Sequence, residues 1–244
     1  MSYYLGGVHA TRLLLERFPS HVGDLYVNHM DKPVLVDIIN IAKQLGIRVH
    51  KVNQPFFDQH LSGVSCQGVG VYCQQLPTLG LDNVLSRLEG QSKWPLVLIL
   101  DRIQDPHNLG ACLRTAAAFS ADAVIVSKHH SVGLTPTVVK VSCGGACVVP
   151  LVVEVNLKRT IEKLKKNGFW IYGASERGDR VLHTVDSKVP VAWVMGNEAQ
   201  GVSTQLLAAC DQTYAIDVSG GFSTLNVSVA TGICLYQTYS SRLI

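Results

Sequence analysis

The sequence predicts an α/β protein of two parts, a small N-terminal α/β domain followed by a larger α/β domain built on a parallel sheet. Three observations carry that reading. Short apolar runs alternate with helix-patterned segments, the arrangement of strands buried on both faces of a sheet. The composition breaks at residues 77–93, where Pro77, Gly80 and Gly90 punctuate a linker containing a short helix. The chain has 244 residues, 47% of them hydrophobic and 16% charged, enough to bury a core and too apolar for a disordered or collagen-like protein. Domains are therefore expected at 1–76 and 94–244, joined by the linker at 77–93.

In the first part, residues 9–17 have helical spacing, with Leu13 and Leu14 on one side and Arg17 turned outward. Residues 24–27 read as a strand. Residues 34–45 read as a helix opened by Pro33 and stopped by Gly46. Residues 47–52 alternate as a strand and 69–74 form a closing one. In the second part, strands are expected at 96–100, 123–126, 169–172, 191–195 and 214–218. Helices are expected at 109–118, 157–166, 203–209 and 227–239.

Several classes of protein are excluded or disfavoured. No apolar stretch approaches the ~18 residues of a membrane helix, and the first residues lack the basic and apolar regions of a secretory signal. A cytoplasmic, membrane-free protein is expected. The seven cysteines are irregularly spaced and form no C-x-x-C pair, so they read as reduced, small core hydrophobes. The nine histidines, His129-His130 included, show no metal-ligand spacing, and no metal is expected. A net charge of +3 is too mild to announce a nucleic-acid binder by itself.

Ligands of parallel sheets bind beyond the carboxyl ends of the strands, which directs attention to three loops. In the first, residues 101–108, Asn108 is placed to cap the next helix, whose Leu109, Cys112, Leu113 and Ala116 share a face that leaves Arg114 outside. An arginine in the first turns of such a helix is well aimed at a phosphate, although for this segment alone a solvated arginine and a capping asparagine are the preferred reading. In the second, Gly196 and Gly201 bracket Glu198 directly after a strand, so backbone can approach a ligand closely. The dinucleotide G-x-G-x-x-G and the P-loop are both absent. In the third, Gly220-Gly221 leads into Ser223, Thr224, Leu225 and Asn226 at a helix start, where caps are the simplest reading.

Taken together and in order, Asp-Pro-His-Asn-Leu-Gly-Ala-x-Leu-Arg, Val-Met-Gly-x-Glu-x-x-Gly and Leu-Asn-Val-Ser-Val-Ala resemble the motifs of the SpoU/TrmH-type RNA ribose 2′-O-methyltransferases of the SPOUT superfamily. The likeness extends to the N-terminal part, where Gly-Gly-Val-His-Ala and Gln-Gly-Val-Gly-Val look like that family's ribosomal-protein-like substrate domain. Within the family it is greatest to bacterial enzymes that methylate a guanosine of 23S rRNA, at a site of the peptidyl-transferase P-loop type.

The resemblance implies a deep trefoil knot, an exception to the rule that chains do not thread. It implies S-adenosylmethionine held by backbone around Gly196, Ile216 and Leu225, and active-site roles for Asn108, Arg114, Glu198 and Asn226. It also implies a homodimer with the site at the subunit interface, where Arg114 acts across it, and 23S rRNA or a pre-50S particle as partner. Arg114 suits a phosphate and a developing alkoxide better than a proton, since arginine stays protonated; Glu198 would orient Arg114 or the loop. The chain departs from the family at Asp217-Val218, where Pro-Met is usual, and at Ala199-Gln200, where Gly-Glu is commoner.

Two alternatives stay open on the sequence: a tRNA ribose methyltransferase of the same family, and a non-catalytic rRNA-binding assembly factor. The basic run Lys158, Arg159, Lys163, Lys165 and Lys166 reads first as a solvated helix face. Arg12, Arg17, Lys43, Arg48 and Lys51 are better RNA candidates, because the domain they resemble binds RNA.

Overall fold

The computed structural model describes residues 2–61, 66–90, 94–219 and 224–243. The N-terminal part runs β1 (Ser2–Gly6), α1 (Val8–Arg17), β2 (Val22–Val27), α2 (Pro33–Gln44), β3 (Arg48–Lys51), α3 (Gln54–His60) and β4 (Val69–Gln74). Its strands form a mixed sheet in the order β1-β4-β2-β3, parallel only between β2 and β3. Leu5, Leu25 and Val71 turn to one face and are buried with Leu14, Leu35 and Ile38 of α1 and α2.

Two elements here differ from the sequence reading. β1 is a Tyr-Tyr-Leu-Gly run without clear alternation, and it becomes a strand by pairing with β4 across nearly the whole domain. α3 is a short helix whose Asn53 side chain accepts from the Phe56 amide, with Pro55 in its first turn.

The second part begins with α4 (Leu81–Leu88), the helix expected inside the linker. It is packed rather than free. Leu81, Val84 and Leu85 are buried under the large sheet, and the Leu79 amide donates to the Leu151 carbonyl at 3.0 Å. Residues 91–93 of the expected linker lie outside the described residues.

Thereafter come β5 (Leu96–Asp101), α5 (Pro106–Ala118), β6 (Ala123–Ser127), α6 (Pro136–Val141), α7 (Gly145–Val148), β7 (Leu151–Glu154) and α8 (Leu157–Lys166). β8 (Trp170–Ala174), β9 (Arg180–Val181), β10 (Val191–Gly196), α9 (Thr204–Leu207), β11 (Gln212–Ala215) and α10 (Val227–Arg242) complete the chain. The seven strands pair in parallel in the order β7-β6-β5-β10-β8-β11-β9.

The parallel sheet is covered on both faces, as its apolar strands require. Leu96, Leu98 and Leu100 of β5 enter the core under α5 and α10, whereas Val97 and Ile99 enter the opposite core with α4 and α8. β10 repeats the pattern, with Trp193 on the first side and Val194 on the second. The first core is continuous with that of the small sheet, so the two parts share one apolar interior. No helix of the described residues is long and apolar enough to cross a membrane.

Candidate active site

β5 and β10 lie side by side, so the loops that follow them leave the same edge of the sheet. α5 starts earlier than its apolar spacing suggests. Its cap is Asp105, whose carboxylate accepts from the His107 amide at 2.9 Å, with Pro106 as first residue. Asn108 is therefore a residue of the first turn and not the cap that its position suggested, and its amide is free for tertiary bonds. It is nearly buried, at 9% exposure.

Those bonds form the centre of the site. Asn108 Nδ2 donates to Glu198 Oε1 at 2.8 Å, and Asn226 Nδ2 donates both to the same carboxylate oxygen and, at 3.1 Å, to Asn108 Oδ1. Asn226 is also the cap of α10, its Oδ1 accepting from the Ser228 amide at 2.9 Å and the Ser228 hydroxyl at 2.6 Å. Asn226 caps the helix as its position suggested and also joins the Asn108–Glu198 group, because its two amide ends serve different partners. One carboxylate thus ties three elements remote in sequence.

The loop 196–203 that carries Glu198 is held tightly. Asn197 Oδ1 accepts from the amides of Ala199 and Gln200 at 3.1 and 2.8 Å, and its carbonyl accepts from the Gly201 amide. A Cβ on Gly196 would lie 1.9 Å from the Gly201 carbonyl carbon, so only glycine fits there.

Two residues that sequence reasoning left out complete the anchor. Asp101, buried at the end of β5, accepts from the Ser203 amide at 2.9 Å. Arg102 sits in the left-handed region (φ 58°) and donates to Gln200 Oε1 at 2.6 Å and to the Gly201 carbonyl at 3.3 Å. The departure at Gln200 therefore has a partner. A charged residue directly after a strand in the ligand loop was the available signal.

Beside this network lies a cavity of about 300 Å³. Gly196, Ile216 and Leu225 line it, with Met195, Tyr214 and Val227 as further apolar walls and Glu198 and Arg177 as polar groups. Burial pushes the Tyr214 phenol above its ordinary range, so this wall is neutral. Val218 also lines the cavity; Asp217 is exposed and outside its lining. The expected Gly220-Gly221 turn and Ser223 lie outside the described residues. Cys112, between α5 and α10, donates to Thr231 Oγ1 at 3.6 Å; burial pushes its thiol up to about 12, which makes it a packing group.

Arg114 stands apart. It is exposed on α5, its Nη1 donates to Cys143 Sγ at 3.6 Å, and it is not among the residues lining the cavity. Glu198 spends its bonded oxygen on the two asparagines, and Arg114 is not among its partners. The basic run on α8 behaves as a solvated face, with Lys163 paired to Asp82 and Lys165 to Asp211.

Residues 95–236 match the SpoU rRNA Methylase family. The chain is 38% identical over 241 residues to the 23S rRNA (guanosine-2'-O-)-methyltransferase RlmB of Bordetella pertussis, spanning 98% of this chain and 97% of that one. It is 40% identical over 240 residues to the protein of the same name from Pseudomonas aeruginosa, spanning 97% and 95%. Among solved structures it is similar to the SpoU methyltransferase AviRb of Streptomyces viridochromogenes in complex with AdoMet, with TM-score 0.80 and 21% identity over 99% of this chain and 91% of that one. It is also similar to the AdoMet-bound rRNA methyltransferase of Sinorhizobium meliloti, with TM-score 0.77 and 22% identity over 98% and 87%.

Proposed function

The chain belongs to the SpoU rRNA methylase family, and from that premise we propose how it transfers a methyl group from S-adenosylmethionine to the ribose 2′-hydroxyl of a 23S rRNA guanosine. The observation that carries the reading is the convergence of Asn108, Glu198 and Asn226 beside the cavity lined by Gly196, Ile216 and Leu225.

The cavity suits the cofactor: apolar side chains such as Ile216, Leu225 and Val227 share its walls with polar ones such as Glu176, Arg177 and Glu198, which matches a ligand with both apolar and charged parts, and its size is that of a small-molecule site. Gly196, Ile216 and Leu225 would hold the cofactor there. When bound, S-adenosylmethionine supplies an electrophilic methyl group on a sulfonium.

The chain's own task is to bring the ribose hydroxyl into line and to manage its proton. Positioning alone is worth ~7–11 kcal/mol where geometry is ideal. Glu198 is committed to the two asparagine amides and fixes the loops rather than acting as base. Arg114, protonated throughout, binds the neighbouring 3′-phosphate and stabilises the developing alkoxide, while phosphate or water accepts the proton.

Arg114 does this for the partner subunit of a homodimer. Two observations support that reading. The guanidinium has no bond to the Asn108–Glu198–Asn226 group in its own chain, and α10 leaves an apolar stripe exposed beside α5. The threading of the carboxyl-end loops that the family resemblance implies belongs to the same reading, as do an N-terminal RNA-binding domain at 1–76 and a cytoplasmic location.

Transfer of tritiated methyl from S-adenosylmethionine to unmodified total RNA tests it, with ribose methylation mapped on the product and Arg114→Ala as control. Label at one 23S guanosine, lost in the variant, is the expected result. Label in tRNA, or none in any RNA, would overturn it.

A further inference from the structure

The small sheet has a second face that the reaction does not use. On it Tyr4 of β1 is paired directly with Tyr72 of β4, and Tyr26 of β2 directly with His50 of β3. The rings touch: Tyr4 and Tyr72 have centroids 5.0 Å apart, and Tyr26 stacks on His50 at 5.1 Å with 20° between planes. α3 closes one end of this face, laying Phe56 on Tyr26 at 4.7 Å and His60 on Tyr4 at 4.3 Å.

The other end is open. Tyr72 is 39% exposed, and its neighbour Gly23 has no side chain to cover the ring. Arg48 reaches over from the edge strand β3 with 78% of its side chain exposed, one of its five donor hydrogens engaged by Asp24 at 3.0 Å. The opposite face of the sheet is taken by α1 and α2, and α1 packs in turn against α7.

We propose that the open face is a stacking platform for an unpaired stretch of the substrate RNA, a base lying on Tyr72 and a phosphate on Arg48. This rests on the RNA-methyltransferase reading above. An accessible flat ring, backed by other rings and bordered by glycine and polar groups, matches a nucleobase, which is planar and polar at its edge. A protein partner would call for a continuous apolar surround, and here Tyr72 is the ring that stands open. Unpaired RNA is the occupant because a base inside a duplex already has both faces covered. Of the basic candidates in this domain, Arg48 shares the face of Tyr26 and Tyr72, whereas Arg12 lies on α1, which covers the opposite face.

The test uses the full chain and an unmodified 23S rRNA transcript. Tyr72→Ala should weaken RNA binding about tenfold and raise KM for RNA in proportion, with kcat and the salt dependence of binding unchanged. Tyr72→Phe should bind as the parent does. Arg48→Ala should flatten the salt dependence by about one phosphate contact. Since Tyr72→Ala removes a ring from the sheet, Tyr72→Trp provides a second readout: its emission should be quenched as a base stacks on it. Unchanged affinity and KM in Tyr72→Ala, unquenched emission in Tyr72→Trp at saturating RNA, or an equal loss in Arg12→Ala would overturn the platform. The quenching is read without cofactor, so a chain that transfers no methyl group would strike the functional reading and not this one.

Discussion

Glu198 illustrates how much one side chain can organise: a single carboxylate oxygen receives amides from Asn108 and Asn226, residues 118 positions apart. The three motif residues are legible in the sequence because their types and spacing recur as a set. Arg102 is not legible in that way. Its place after a strand in the ligand loop marks it only as a charged residue; its role depends on a left-handed backbone and on meeting Gln200 almost a hundred positions later, and neither of these leaves a pattern. Arg102→Ala should loosen the loop 196–203 and cost ~1–3 kcal/mol, as expected for charge-assisted bonds. Calorimetry should show several-fold weaker cofactor binding, with kcat at saturation much less affected. Gly196→Ala is the harsher change, because the new methyl meets backbone that cannot move aside. Loss of measurable cofactor binding is expected, together with a destabilisation of ~1–3 kcal/mol.

Elements with a strong apolar period were readable to within a few residues: α8 spans Leu157–Lys166 and β4 spans Val69–Gln74, as expected. The segment from 128 to 150 was not. α6 is rich in β-branched valine and α7 is a single turn after Gly144; both are held helical by packing, α6 on α5 and β1 and α7 on α5 and α1. β7 has four residues and owes its existence to pairing with β6. α10 carries information of a different kind. Its inner side is buried through Val227, Thr231, Cys234 and Leu235, yet Val229, Tyr236 and Leu243, seven residues apart, are 51%, 57% and 70% exposed. Phe119, just past the end of α5, extends the stripe by edge-on and tilted ring contacts with Tyr236 and Tyr239. An apolar stripe of this length, already half-buried, gains about 1 kcal/mol per side chain when covered, which supports the proposed dimer. Tyr236→Glu should convert the dimer to monomer in sedimentation equilibrium with little change in far-ultraviolet dichroism. A variant that stays dimeric would refute α10 as the interface.

At the scale of the whole molecule, the fold divides the work: the loops after β8, β10 and β11 build a cavity at one edge of the parallel sheet, while Arg114 faces elsewhere. On the proposed reading, in which the cavity takes the cofactor and Arg114 a phosphate at the partner's site, the chain is complete only as a pair. The consequence is quantitative. In a two-fold dimer that mixes Arg114→Ala with Gly196→Ala chains, one site combines an intact cavity with an intact arginine from the other chain, and the second site lacks both. Random mixing makes about half the dimers hybrid, so activity should recover to about a quarter of the wild-type rate although each parent is inactive. Were Arg114 to act within its own chain, every site in the mixture would lack one component and no activity would return. Methyl transfer measured after co-refolding the two variants distinguishes these outcomes, and it does so without relying on the affinity of either variant for RNA.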